Sequence, residues 1–196
     1  MKRWNFARWI FGILLAGSAC TGPGRAQDFF SVTPSHVEIA ERGQVESLQI
    51  LESTNIFSII PPLGWRLRVN SAQRRLDFIS TNQFTSISVQ FVGTNAALAP
   101  TVDLEALSSW IESRFPEGKI KSHFQSVTGF VPGEGFDLSW RAESRQVLYT
   151  RISLIPYDCG TVEVSLTGSQ DSMEDHRFTY TGLLSSFTRE WLRRVR

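Results

Sequence analysis

Residues able to do covalent or metal chemistry are few in this sequence, and they stand apart from one another. Cys159 is the one cysteine beyond residue 20, and His36, His123 and His176 are the only histidines that could activate it. Cysteine catalysis needs a base within hydrogen-bond reach and a third group that orients the base. Cys159 instead falls in Pro156-Tyr157-Asp158-Cys159-Gly160, a turn between two strand patterns, and reads as a small, partly buried residue beside a glycine. A serine nucleophile fares no better. Leu166-Thr167-Gly168-Ser169-Gln170 lacks the glycine two residues beyond the serine that a strand–elbow–helix turn requires. Neither His-x-x-x-His nor Cys-x-x-Cys occurs, so no metal-ligand spacing is present. The densest acidic group is Asp171, Glu174 and Asp175 with His176 beside it. Asp171 and Asp175 stand one helical turn apart and could share a weak cation. Carboxylates at a helix start also complement the helix dipole, and that is the preferred reading.

Phosphate chemistry lacks its loop as well. Gly22-Pro23-Gly24 and Gly133-Glu134-Gly135 are turns, with no following Lys-Ser/Thr or glycine-led helix start. Two sets of arginines, Arg66, Arg68, Arg74 and Arg75 and then Arg141, Arg145 and Arg151, fall on strand patterns. They read as the wet face of a sheet, with a basic ligand patch as the alternative. Trp65, Trp110, Phe136 and Trp140 fit core positions, and Trp110 and Trp140 are expected to be largely buried. The sequence therefore assigns no catalytic, cofactor-binding or metal-ligating residue and no cofactor.

The elements that would position such residues are clearer. Ile56 to Val92 reads as a β-meander, with Ile87, Val89 and Phe91 on the oily face and Ser86, Ser88 and Gln90 opposite. Pro61-Pro62 cannot donate ladder hydrogen bonds and marks a strand end or crossover. The period then changes. Leu104, Leu107 and Ile111, widened by Trp110, form the stripe of a helix of about three turns, with Thr101 or Asp103 as its cap and Pro116 at its end. Strands follow at 120–127, through Phe136-Leu138-Trp140, at 147–155 and at 161–167. A closing helix is expected over 172–189, carried by Met173, Leu183, Leu184 and Phe187. Residues 27–52 show no clean period, and are read as a lead lying along the domain with a turn at Arg42-Gly43. The expected division is 1–26 signal peptide, 27–52 N-terminal lead, 53–190 α+β domain and 191–196 tail.

The address comes from the first 26 residues. Lys2, Arg3 and Arg8 precede an apolar run from Trp9 to Ala19, and Gly24 and Ala26 occupy the −3 and −1 positions of a cut before Gln27. That run reaches about 16 Å as a helix, roughly half a bilayer's hydrocarbon thickness, so it reads as a signal peptide and not a membrane span. Cys20 offers a lipid-anchor alternative after cleavage at Ala19, although Gly17 stands where a lipobox usually has leucine. Removing residues 1–26 takes four of the 20 Lys and Arg and none of the 19 Asp and Glu. A net charge of +1 thereby becomes about −3, which gives no electrostatic reason to bind nucleic acid. With only Cys159 in the exported part, no internal disulfide is available.

The order of elements carries a resemblance. Pro61-Pro62-Leu63-Gly64-Trp65, the strands, one amphipathic helix, more strands and a closing Leu183-Leu184-Ser185-Ser186-Phe187 together resemble the PsbP-like superfamily over about residues 53–190. That superfamily includes extrinsic photosystem II proteins, a Ran-binding nucleotide-release factor and exported bacterial proteins. The resemblance implies an α+β fold, an antiparallel β-sheet flanked by helices, and a non-catalytic binding role; it transfers no site residue. The expected function is an exported binding or accessory module of the bacterial envelope, with an envelope protein or a small ligand as partner. An exported hydrolase assembled from sequence-distant residues is the alternative.

Overall fold

The computed structural model describes residues 29–93, 104–115, 117–142, 144–158 and 160–191. The expected signal peptide, Cys20, both proposed helix caps Thr101 and Asp103, Pro116, Cys159 and the tail beyond Trp191 lie outside the described residues. The described chain is α+β, with two antiparallel sheets and three α-helices.

The smaller sheet begins with a long hairpin. Strands β1 (Phe30–Ile39) and β2 (Gly43–Glu52) pair over their full length, from Phe30 opposite Glu52 to Ile39 opposite Gly43. Glu41 and Gly43 take positive φ values of 70° and 72° to close the turn, in the left-handed region that glycine enters without steric cost. β3 (Asn55–Ile59) adds to β2, and β11 (Thr188–Trp191) adds to β3. Residues 27–52, read from sequence as a lead, thus supply two strands of this sheet from residue 30 onward. Leu48 and Ile50 turn into the core while Gln49 and Leu51 do not, a short alternation in an otherwise irregular stretch.

The larger sheet runs β4-β5-β6-β10-β9-β8-β7. β4 (Arg66–Asn70), β5 (Arg75–Ile79) and β6 (Ser86–Gly93) form a meander, but the expected single meander over 56–92 is divided. Its first piece, β3, belongs to the other sheet, and Pro61-Pro62 carry the chain across. β7 (Lys119–Ser126), β8 (Gly133–Arg141), β9 (Val147–Tyr157) and β10 (Gly160–Gly168) follow the strand patterns read from the sequence. Gly160 opens β10 where nothing larger fits. A Cβ built there would lie 2.0 Å from the carbonyl oxygen of Val92.

Each face of the larger sheet has its own core. Helix α1 (Leu104–Arg114) puts Ile111 against Phe136, Leu138, Ile152 and Leu154. On the other face the larger core joins both sheets to the closing helical segment. Phe57 stands at its centre, in ring contact with Phe91, Phe130, Tyr157 and Phe187. The closing segment is not one helix over 172–189. It is α2 (Gln170–Asp175) followed by α3 (Arg177–Ser186), broken at His176. Tyr180, Leu183 and Leu184 face inward, and Phe187 leaves the helix in extended conformation, fully buried, to start β11. Trp110 and Trp140, expected to be largely buried, are of intermediate exposure: mostly covered, but outside the fully buried core. Trp140 sits near the end of β8, where its indole donates to Thr150 Oγ1 (3.0 Å) and its ring meets Phe115 (5.8 Å), so its polar edge competes with burial.

Candidate functional site

The folded chain keeps the three histidines on three separate elements. His36 is exposed on β1, an edge strand. His123 on β7 lies 2.7 Å from Glu134 of β8, with side chains 40% and 38% exposed, on the open surface of the sheet. His176, at the break between α2 and α3, takes the edge-on ring of Trp65 at 4.9 Å. Asp171, Glu174 and Asp175 are exposed on α2, and no group of three or more metal-ligating side chains occurs among the described residues. Only Asp171 lies in the first turn of α2, which Ser169 Oγ caps at the Ser172 amide (3.3 Å); Glu174 and Asp175, expected at a helix start, are the last two residues of this short helix, because it breaks at His176.

The arginines likewise divide among local partners. Arg74 reaches Glu52, which is 1% exposed at the end of β2, at 2.9 Å. Arg75 holds Asp77 at 2.6 Å and donates to Ser88 at 2.9 Å. Arg151 lies 2.9 Å from Asp137 and stacks 4.3 Å over the Phe124 ring, which itself lies against Gly135 where a Cβ would clash. Arg114 of α1 pairs with buried Glu163 of β10. Arg66 and Arg68 are exposed on β4, Arg141 ends β8, and Arg145 occupies the following turn. Three of the seven arginines singled out are therefore neutralised within the fold, and the set does not gather into one basic patch.

What the fold does gather is apolar. Leu63 is 100% exposed, Phe178 88% and Phe84 77%. All three hang on segments that surround α2. Leu63 is two residues before Trp65, whose ring touches His176 at the end of α2. Phe178 is two residues after His176, in the first turn of α3. Phe84 lies in the β5–β6 turn, and a Cβ built on Gly168 would sit 3.3 Å from Ser172 Cβ and 3.4 Å from the Phe84 carbonyl oxygen. The β5–β6 turn therefore abuts the start of α2. Leu67 and Val69 on the edge strand β4 are also exposed. Single exposed apolar residues are ordinary, and Val127 (71%) and Phe29 (53%) are others; these three differ in standing on segments next to one short helix. The sequence carried a signal for each: a leucine between proline and glycine, a phenylalanine in Thr81-Asn82-Gln83-Phe84, and a phenylalanine off the stripe of Tyr180, Leu183 and Leu184.

No protein-family model matches the chain, and no curated protein matches it. Its fold is similar to several solved structures. The Ran-binding protein Mog1p of Saccharomyces cerevisiae is 10% identical, with a TM-score of 0.48 over 81% of this chain and 96% of that one. LpqN, involved in cell envelope biogenesis of Mycobacterium tuberculosis, is 11% identical, with a TM-score of 0.48 over 81% and 91%. The cyanobacterial PsbP of Synechocystis is 12% identical, with a TM-score of 0.45 over 88% and 98%. A PsbP and a Ran-binding protein are thus among the structures this chain is similar to. At these identities the likeness concerns the chain trace alone.

Proposed function

We propose that this chain is an exported, non-catalytic binding or accessory module of the bacterial envelope, and that it docks a protein partner through the surface around α2. The exposure of Leu63, Phe84 and Phe178 on segments next to α2 supports this reading. The neighbouring carboxylates Asp171, Glu174 and Asp175 select the partner's charge: Lys and Arg around an apolar socket. The same carboxylates disfavour an anionic lipid surface as the occupant.

The test compares the exported chain with its L63S/F84S/F178S variant by quantitative cross-linking in envelope extract. A partner captured by the wild type and lost by the variant, at unchanged melting temperature, supports the reading. Capture that ignores the variant and responds to no salt between low and physiological ionic strength overturns it. The hydrolase alternative rests on His123 and Glu134, the histidine–carboxylate pair at 2.7 Å. A hydrolase activity of the wild type that disappears in His123→Ala would establish that alternative.

A further inference from the structure

The larger sheet ends in β7 on one side and β4 on the other. β7 shifts register between Ile120 and Ser122, an irregularity that turns an edge away from further pairing. β4 has no such break, and pairs with β5 from Arg66 opposite Ile79 to Asn70 opposite Arg75. Its other side meets no strand among the described residues, so alternate N–H and C=O groups of β4 face outward there.

The side chains of β4 define the strand that would fit beside it. Residues directly opposite each other across an antiparallel ladder share a face of the sheet. Leu67 therefore continues the row of Phe78, Ile87 and Leu166, and Val69 continues the row of Leu76, Val89 and Val164. Those six residues are all 0% exposed, whereas Leu67 is 37% exposed and Val69 41%. Both core rows reach β4 and stop there uncovered. Arg66 and Arg68 stand on the opposite face of the strand and are exposed. The carboxylate across the ladder from Arg68 is Asp77, and it is already held by Arg75 at 2.6 Å and by the Ser88 hydroxyl at 2.6 Å. Neither Arg66 nor Arg68 has an ion pair among the described residues. An added strand thus meets apolar carbon on one face and two cations on the other. A second copy of β4 is a poor occupant. Antiparallel pairing centred on Arg68 sets that arginine against itself, and like charges directly opposite destabilise a sheet.

We propose that β4 takes up an extended segment of a partner protein in which Asp or Glu alternates with aliphatic residues. Its carboxylates lie on Arg66 and Arg68, its apolar side chains beside Leu67 and Val69, and its backbone extends the ladder. The site rests on β4 and its register and not on the docking surface around α2, whose carboxylates select the opposite charge. The probe is the capped peptide Thr-Glu-Val-Glu-Ile-Thr, titrated into the full chain and followed by amide chemical shifts. Saturable shifts centred on residues 66–70 and 75–79 are expected, with a dissociation constant on the order of millimolar for so short a peptide. Thr-Lys-Val-Lys-Ile-Thr should bind about tenfold more weakly, and R66E/R68E should reverse that preference, a result that loss of folding cannot produce. The isomer Glu-Glu-Val-Ile-Thr-Thr should bind at least about threefold more weakly, since neighbouring residues of a strand point to opposite faces and no register puts both carboxylates on the arginines. L67S/V69S should weaken every peptide, and L63S/F84S/F178S should titrate as wild type. Absence of saturable shifts up to about 10 mM peptide overturns the proposal. So do equal binding of the isomer, a charge preference that R66E/R68E leaves unchanged, and shifts at 66–70 that follow the protein's own concentration, which would assign the edge to a second copy.

Discussion

Tyr180 shows what a single side chain does here. It lies inside the larger core, with its hydroxyl 2.6 Å from Ser153 Oγ and 3.0 Å from the Val164 carbonyl oxygen, and Ser153 meets Ser126 at 2.5 Å. One phenol thus ties α3 to β7, β9 and β10. Burial pushes its pKa well above the ordinary 10.0, against a smaller lowering by the Ser153 hydrogen bond. A folded-state pKa raised above the unfolded one means that the native state holds its proton longer. The associated stability is present below pH 10.0 and is lost as pH rises beyond it. Denaturant melts should therefore weaken above about pH 10, and Tyr180→Phe should remove that part of the alkaline loss. At pH 7 the same variant should cost about 1–2 kcal/mol, because it leaves Ser153 and Val164 with one partner fewer. A neutral-pH loss below about 0.3 kcal/mol would show that the hydroxyl contributes nothing there. Trp140→Ala should cost about 2–3 kcal/mol, below the range for a fully buried aromatic, because the indole lies outside the fully buried core; the same melts measure it. Phe136 could be placed in the core from its alternation with Leu138. Tyr180 could not be singled out, since the groups that make it matter come from strands far away in the chain.

At the scale of elements, legibility follows the range of the interaction that decides each one. Strands β6, β8, β9 and β10 and helix α1 were readable, because period and length are local properties. The division of 56–92 between two sheets was not. It depends on β3 finding β2 and β11, and Ile56 and Phe57 look alike whichever sheet accepts them. β11 was hidden for a different reason. The apolar spacing from Met173 to Phe187 continues smoothly through the point where Phe187 turns to extended backbone. A part-buried ion pair lies at the join between sheets: buried Glu52 at the end of β2 and partly exposed Arg74 just before β5. Removing one member of such a pair strands a charge, whereas replacing both with apolar residues need not. Arg74→Ala should cost about 3–5 kcal/mol, and the double variant E52L/R74M should recover most of that loss. Equal instability of the single and double variants in urea melts would mean that the pair's charge is not what matters. The proposed docking surface was not legible: the sequence analysis singled out neither Phe84 nor Phe178 and read Leu63 only as part of a turn, because the surface joins a crossover, a hairpin turn and a helix start.

For the molecule as a whole, the boundary that matters most is the one before β1. Among the described residues no helix is long and apolar enough to cross a membrane. Phe29 is already tied in, with its carbonyl accepting from the Ser53 amide at 2.9 Å, and β1 begins at Phe30. A cut before Gln27 therefore leaves two residues ahead of the first backbone contact to the fold. Processing at Cys20 would instead leave a tether of up to about 30 Å between a lipid and β1, enough to let the folded part stand off a membrane surface. The basic start, the short apolar run and the Gly24-x-Ala26 spacing favour the first outcome. Expressed with its leader in a Gram-negative host, the chain should appear outside the cytoplasm with Gln27 as its first residue and a net charge near −3. N-terminal sequencing with intact mass measurement reads this directly. An acylated start at Cys20 would make it a lipoprotein and bring the α2 surface within tether reach of membrane-bound partners. An intact Met1 in the cytoplasm would remove the envelope from its function altogether.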